Sequence, residues 1–520
     1  MEENLRTRIK EKSKKKLFRM IFGRTLFIIL SVSIQVLIMV LFILWLNEYF
    51  VYFYSISTVL TILLVVHIAN NDINPAYKVA WEFIVLAVPI FGSLFYVLLK
   101  IHPELRIIKR RLNLLINETK PYLKQDTEVL EELKEKNDEL YGLARYVSEY
   151  GGFPTYKNTK TTYFSIGEEK YERLLIELKR AEKFIFLEYY IVDEGIMWDS
   201  ILDILCEKVK EGVEVRFMYD GMGTLSLLPH DYPKDMEQLG IKCKIFSPIR
   251  PAISSYQNNR DHRKICVIDG LVAFTGGINL SDEYINVTHK FGHWKDNAVM
   301  IEGDAVKNFT MMFLQNWNIT EKVKEDFEKY IVKTDVTTKG YVLPYGDSPF
   351  DKENVGELVY MDILNNARDY VHIMSPYLVI DNEMMFALEY AAKRGVDVKL
   401  ILPHITDNPT EYKIARNLYP RLIERGVKIY EYTPGFVHAK TFISDNKKAV
   451  VGTINMDYRS MYLNMECAVY MQGVDTVLDI EEDFKNTLLK CNEITLEDCE
   501  KYSKIKQMIG KLLWLISPLM

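Results

Sequence analysis

Two short stretches of the chain carry the same set of side chains suited to nucleophilic and acid–base chemistry. His262 is followed by Lys264 and Asp269, and His438 is followed by Lys440 and Asp445 at the same offsets. Beyond each lies a turn of small residues ending in an asparagine, Asn279 and Asn455, again at matching distances from the histidine. Each half then offers a carboxylate just before an apolar strand, Asp296 ahead of Val299 and Glu466 ahead of Val469. For one histidine, Lys and Asp at fixed offsets arise by accident on the order of once in a hundred. Two such matches at equivalent places are far rarer, and the chain has only 9 histidines.

The chemistry these residues suit is attack on a phosphodiester. In an extended His-x-Lys segment, alternation sends the imidazole and the ammonium to the same face. Two segments brought together would place two imidazoles and two ammonium groups at one point. The lysines would stabilise charge developing on the phosphate oxygens. One imidazole would attack phosphorus while the other protonates the leaving alcohol. Asp296 and Glu466 are suited to accept the far N–H of each ring and fix its tautomer. Asp269 and Asp445 each start a turn before the next strand, so capping backbone N–H groups and direct chemistry both fit. His230, His289, His293, His372 and His404 lack partners at ligand spacing and read as structural or surface residues.

The elements that must position these residues repeat. A helical pattern at 171–181 leads into the apolar stretch 184–192, and a second at 356–367 leads into 370–377. Gly212 and Gly395 each end a helix before a strand, and Leu239-Gly240-Ile241-Lys242 is answered by Arg425-Gly426-Val427-Lys428. Strands alternating with helices predict an α/β fold of two duplicated units, 151–335 and 336–485, with mixed, largely parallel sheets. Residues 101–150 read as a charged helical linker and 486–520 as a helical tail, either an amphipathic interfacial helix or a cap on the core.

Ahead of these units, residues 1–24 are strongly basic. Apolar runs follow at Thr25–Leu46, Phe50–Ala69 and Val79–Leu99, the first long enough at ~1.5 Å per residue to cross a ~30 Å hydrocarbon core. This pattern predicts an anchor of two or three transmembrane helices over 25–100 and a multi-pass protein of the cell membrane. Basic clusters lie on both sides of the runs and disagree on orientation. A hydrophobic share of 48% and a charged share of 26% mark a globular chain, and a net charge of -6 argues against a bulk nucleic-acid binder. The 6 cysteines form no C-x-x-C pair and give no support to a structural metal site.

Taken together, His262, Lys264, Asp269 and Asn279, with His438, Lys440, Asp445 and Asn455, resemble the paired H-x-K-x4-D signature of the phospholipase D superfamily. The resemblance narrows to bacterial cardiolipin synthases and covers the chain from about residue 50. Asn74-Pro75-Ala76-Tyr77-Lys78, Trp294-Lys295-Asp296, Asn455-Met456-Asp457-Tyr458-Arg459-Ser460 and the terminal Leu515-Ile516-Ser517-Pro518-Leu519 are similarly placed in that family. It implies a reaction without metal or cofactor, in which two phosphatidylglycerols give cardiolipin and glycerol through a phosphohistidine. His262 would be the nucleophile and His438 the general acid. The motif alone leaves open a hydrolase, a transferase with another donor or acceptor, and a scaffold that binds anionic headgroups. Two features depart from the family pattern: Asp261 stands where asparagine is common, and the run Thr25–Leu46 is additional.

Overall fold

The computed structural model describes residues 50–136 apart from 101–102, then 138–249 and 258–519, with scattered positions between 33 and 44. The first half contributes strands β1 (Thr159–Phe164), β2 (Phe184–Tyr189), β3 (Glu214–Asp220), β4 (Lys242–Phe246), β5 (Arg260–Asp261), β6 (Ile265–Ile268), β7 (Val272–Gly276), β8 (His293–Lys295) and β9 (Ala298–Gly303). The second contributes β10 (Tyr341–Asp347), β11 (Tyr370–Met374), β12 (Leu378–Val379), β13 (Asp397–Pro403), β14 (Lys428–Tyr432), β15 (Gly435–Val437), β16 (Thr441–Ser444), β17 (Lys448–Gly452), β18 (Met456–Asp457), β19 (Asn464–Gln472) and β20 (Cys491–Ile494).

The sheet orders make the duplication explicit. One sheet runs β1-β9-β7-β6-β2-β3-β4 and the other β10-β19-β17-β16-β11-β13-β14, the latter extended by β20. The tail 486–520, expected to be helical, thus includes an edge strand antiparallel to β14, after a helix that ends at Leu488. The sheets are mixed, but the expectation that they are largely parallel does not hold. Along these orders β2-β3-β4 and β11-β13-β14 pair in parallel and the other neighbours are antiparallel, while the short β5, off the path, pairs in parallel with β19. The cause is local. Asp269 and Gly270 (φ 54° and 70°) and Asp445 and Asn446 (φ 56° and 53°) form tight two-residue turns. Left-handed conformation at both central positions suits a hairpin between antiparallel strands.

The inner faces of the two sheets pack on each other. Phe186, Val267 and Val299 from one meet Ile443, Val451 and Val469 from the other in a single buried cluster. Helices cover the outer faces, where separate cores form. The motif strands therefore lie between two rigid layers rather than on a mobile surface.

The N-terminal region differs from expectation. Among the described residues no helix is long and apolar enough to cross a membrane, which corrects the predicted transmembrane anchor. Most of the first apolar run lies outside the described residues, as do the basic residues 1–24. The second run forms helix α1 (Phe50–Ala69), whose described side chains begin at Ser55 and include Thr58, Thr61 and His67. The third run is broken at Val88 into α2 (Pro75–Ala87, 13 residues) and α3 (Pro89–Lys100, 12 residues). At ~1.5 Å per residue each is about 20 Å long, short of a ~30 Å core. Pro89 has no N–H to continue the helix. Gly92 lets the two helices close on each other, since a Cβ there would lie 2.4 Å from the Ile84 carbonyl oxygen. The Thr61 and Ser93 hydroxyls, 3.1 Å apart, tie α1 to this hairpin.

The hairpin is docked on the second unit. The Asn74 side-chain amide donates to Asp381 (2.9 Å) and to the Tyr462 hydroxyl (2.8 Å), and Tyr77 packs edge-on against Tyr458 and Tyr462. The C-terminal helix Lys504–Ile516 joins the same patch through Leu513 and Trp514 and leaves Ile505, Met508 and Leu512 exposed. It is both a cap on the core and an amphipathic surface helix.

Candidate active site

The two motif segments meet between the sheets by exchanging strands across the duplication. β5, just before His262, pairs in parallel with the start of β19, and the His262 N–H donates to the Met465 carbonyl at 2.9 Å. β15, just before His438, pairs in parallel with β8, and the His438 N–H donates to the Lys295 carbonyl at 2.7 Å. Each histidine is thereby set beside the carboxylate of the opposite half. His262 Nδ1 lies 2.9 Å from both oxygens of Glu466, and His438 Nδ1 lies 2.6 Å from Asp296 Oδ2.

The carboxylates are themselves held. Glu466 accepts from the Thr453 hydroxyl and, at 3.2 Å, from the Asn464 amide. Asp296 accepts the Asn297 N–H at 2.8 Å. Gly277 is required beside it, because a Cβ there would lie 2.0 Å from Asp296 Oδ1. Burial pushes both carboxyls upward, but the facing histidines and nearby lysines outweigh it and keep them below the usual carboxylate range. Ionised acceptors at Nδ1 leave each Nε2 free for chemistry.

Lys264 and Lys440 are buried and bond the carbonyl oxygens of His262 (2.5 Å) and His438. Burial lowers the Lys264 ammonium to about 8, against the pull of Glu466 and Asp296. It lowers Lys440 to about 7, with repulsion from Lys264 adding to the effect. Burial also lowers both histidines, His438 to about 3, where Lys440 and Lys264 add repulsion. Both rings are neutral at neutral pH, and further negative charge would offset the burial that lowers the lysines. A phosphodiester between the lysines would supply that charge and raise the lysines and His438 together.

Asp269 and Asp445 do not join this centre. The Asp269 carboxylate accepts the N–H groups of Glu182 (2.7 Å), Lys183 (2.7 Å) and Phe184 (2.8 Å) at the start of β2. Asp445 accepts those of Arg368, Asp369 and Tyr370, each at 2.9 Å, at the start of β11. Of the two readings left open for them, the geometry selects backbone capping. Asp269→Ala is expected to destabilise the fold by about 3 kcal/mol, because the buried Phe184 N–H and two part-buried donors lose a shared acceptor. The folded fraction should keep turnover within about tenfold of wild type. Denaturant unfolding alongside activity per folded molecule checks this, and a folded variant with no turnover would reject it.

Asn279 accepts the Ile191 N–H at 3.0 Å and donates to the Tyr284 hydroxyl at 2.7 Å. Tyr284 sits edge-on to His438, 5.5 Å between centroids. Asn455 is buried with its side-chain oxygen unpaired among the described residues. Two aromatic neighbours of the histidines have no role assigned from sequence, although Trp294 lies in one of the stretches that resemble the family. Tyr190 lies edge-on to His262 (5.0 Å) with Lys264 Nζ 5.4 Å from its ring centroid, and Trp294 lies against His438 (5.4 Å). Tyr190 follows an apolar strand and Trp294 stands two residues before the orienting aspartate, and their spacing alone assigns them no chemistry.

Asp261, the departure from the family pattern, belongs to a buried network behind His262. Arg263 bonds Asp261 (3.0 Å) and Glu188 (2.5 Å), and the Asn316 amide donates to both carboxylates (2.8 and 2.9 Å). The network fixes the backbone on either side of the histidine.

Comparison with known proteins decides the family. A family model described as the phospholipase D-like domain of cardiolipin synthase matches residues 174–330 and 360–488. The chain belongs to this family. A second model, described as a phospholipase D–nuclease N-terminal segment, matches residues 59–100, which include the hairpin docked on the second unit. The cardiolipin synthase of Alkalihalophilus pseudofirmus is 33% identical over 453 residues, 86% of this chain and 90% of that protein. An uncharacterized protein of Streptococcus mutans is 51% identical over 458 residues, 88% of this chain and 99% of its own. Among solved structures, phosphatidylserine synthase of Haemophilus influenzae superposes with a TM-score of 0.56 at 12% identity, covering 73% of this chain and 100% of that one. That last likeness concerns the fold alone.

Proposed function

We propose that the protein is a cardiolipin synthase that transfers a phosphatidyl group from one phosphatidylglycerol to a second, releasing glycerol. The observation that carries this is the crossed pair of carboxylate-oriented histidines, with two buried lysines beside them, in a chain of the cardiolipin synthase family.

In this reading the phosphodiester lies between Lys264 and Lys440, whose charges stabilise the phosphorane-like transition state. His262, neutral and held by Glu466, attacks phosphorus through Nε2. The P–O bond to the departing glycerol breaks, and that oxygen takes the Nε2 proton of His438, which Asp296 and the bound phosphodiester hold as the imidazolium. A hydroxyl of the second phosphatidylglycerol then attacks the phosphohistidine. His438 takes its proton, the P–N bond breaks, and His262 is restored.

The reading also places the protein at a membrane surface. The support is apolar side chains exposed on α1 (Ile56, Val59, Leu63), on the hairpin (Val79, Phe83, Leu86) and on the C-terminal helix. Lipid analysis of a host lacking its own cardiolipin synthases tests the function. Expression should restore cardiolipin, and its continued absence with the protein present in membranes would contradict the assignment.

A pH dependence follows from the lysines. The free enzyme loses its phosphate-holding charges as pH rises through about 7 for Lys440 and about 8 for Lys264. kcat/KM is expected to fall across that interval, and kcat only at higher pH, since bound phosphate raises both groups. The sign for stability is opposite. A lysine depressed in the folded state binds fewer protons there than when unfolded, so stability rises between about 7 and the ordinary lysine range. Activity should therefore decline while the thermal midpoint does not. A parallel fall of both would contradict the assignment of the alkaline limb.

A further inference from the structure

Helix α4 (Pro103–Thr119) follows the hairpin directly and has two unlike faces. Its inner face is fixed to the first unit. Leu112 and Leu115 are buried with Phe309, Phe313 and Trp317, Gln315 donates to the Thr119 hydroxyl at 2.7 Å, and Arg111 reaches the Glu321 carbonyl at 3.4 Å. Its outer face carries Arg106, Lys109, Arg110, Asn113, Leu114 and Asn117, which line one open groove. Among the described residues none of the three cations makes an ion pair, although the whole chain is acidic. Ile107 and Leu114 on the same surface are 68% and 48% exposed.

We propose that this face of α4 is a docking surface for the anionic headgroups of a bilayer. The claim rests on the membrane-surface reading above and deepens it. Exposed cations interleaved with exposed aliphatics suit the headgroup–acyl boundary, where cations meet lipid phosphates and the aliphatics enter the first carbons. A membrane satisfies both, and α4 begins two residues beyond a hairpin that already exposes Val79, Phe83 and Leu86. The consequence is that the first unit gains its own, charge-dependent contact with the lipid surface, beside the apolar contact made through the second unit. The catalytic centre between the units then has a lipid contact on either side.

The test uses the full chain in nanodiscs, with an environment-sensitive fluorophore on Asn113→Cys. The discs are neutral phosphatidylcholine with or without phosphatidate, which has no headgroup alcohol to transfer. A shift to apolar emission is expected on adding phosphatidate, reversed by high salt and absent in Arg106→Gln/Lys109→Gln/Arg110→Gln. Each charge at an anionic surface contributes about fivefold to the contact, so the triple change should weaken it by about a hundredfold. Equal emission in neutral and anionic discs, or a shift that survives the triple change, would overturn the proposal. The label reports α4 whether or not cardiolipin forms. The triple variant should also keep wild-type product formation in detergent micelles, so failure of this proposal and failure of the catalytic reading are distinguishable.

Discussion

Replacing His262 with alanine is expected to lower phosphatidyl transfer by at least about 10⁴-fold, because the nucleophile that splits the reaction into two steps is gone. His438→Ala should cost a comparable amount with a normal substrate, since neither the leaving glycerol nor the incoming alcohol then has a proton partner. The two variants separate when the leaving group needs no proton. With a phosphatidyl ester of an acidic phenol, His438→Ala should regain the first step and accumulate a phosphorylated histidine. His262→Ala should regain nothing. Trapping at alkali-quenched time points, where the acid-labile P–N bond survives, read by mass spectrometry of the His262 peptide, checks this. Rescue of His262→Ala instead would reverse the roles. Near-normal turnover of either variant with phosphatidylglycerol would remove the two-histidine mechanism altogether.

The second large effect is expected at the orienting carboxylates. Glu466→Gln keeps the shape of the side chain but removes the charge that holds His262 Nδ1–H at 2.9 Å. Loss of such a partner leaves the ring free to adopt the wrong tautomer, a cost of about 10³–10⁴ in turnover. Asp296→Asn should cost at least as much. Asp296 opposes the burial and the Lys440 repulsion that lower His438, so without it the general acid is protonated only at still lower pH. Because each carboxylate comes from the half opposite its histidine, the first-half lesion Asp296→Asn should impair the second-half histidine, and Glu466→Gln the reverse. Ring tautomers from nitrogen-15 NMR distinguish this from misfolding. A His438 signal unchanged in Asp296→Asn would contradict the crossed arrangement.

Much of this was legible in the sequence because it rests on local repetition. His262, Lys264, His438 and Lys440 share spacing, and short extended segments put each His–Lys pair on one face whatever the tertiary context. The pairing of Asp296 and Glu466 with the histidines was also readable as chemistry. Its crossing was not, because the short β5–β19 and β8–β15 pairings join residues about two hundred and a hundred and forty positions apart and nothing in their spacing records that. Asp269 and Asp445 looked equally like catalysts and caps until the N–H groups of β2 and β11 were placed around them. The expectation of largely parallel sheets fails at the same turns, where Asp269-Gly270 signals a hairpin that a helix–strand count overlooks. Hydropathy ran through Pro89 as though the chain continued straight, whereas the missing N–H and the close approach allowed by Gly92 fold that run back as a hairpin.

The central claim is tested most directly by incubating the purified full chain with phosphatidylglycerol as the sole lipid and measuring the products by mass spectrometry. Cardiolipin and free glycerol in equal amounts, formed by wild type and by neither histidine variant, is the predicted result. Phosphatidate without cardiolipin would show that water takes the phosphatidyl group, and would contradict the account.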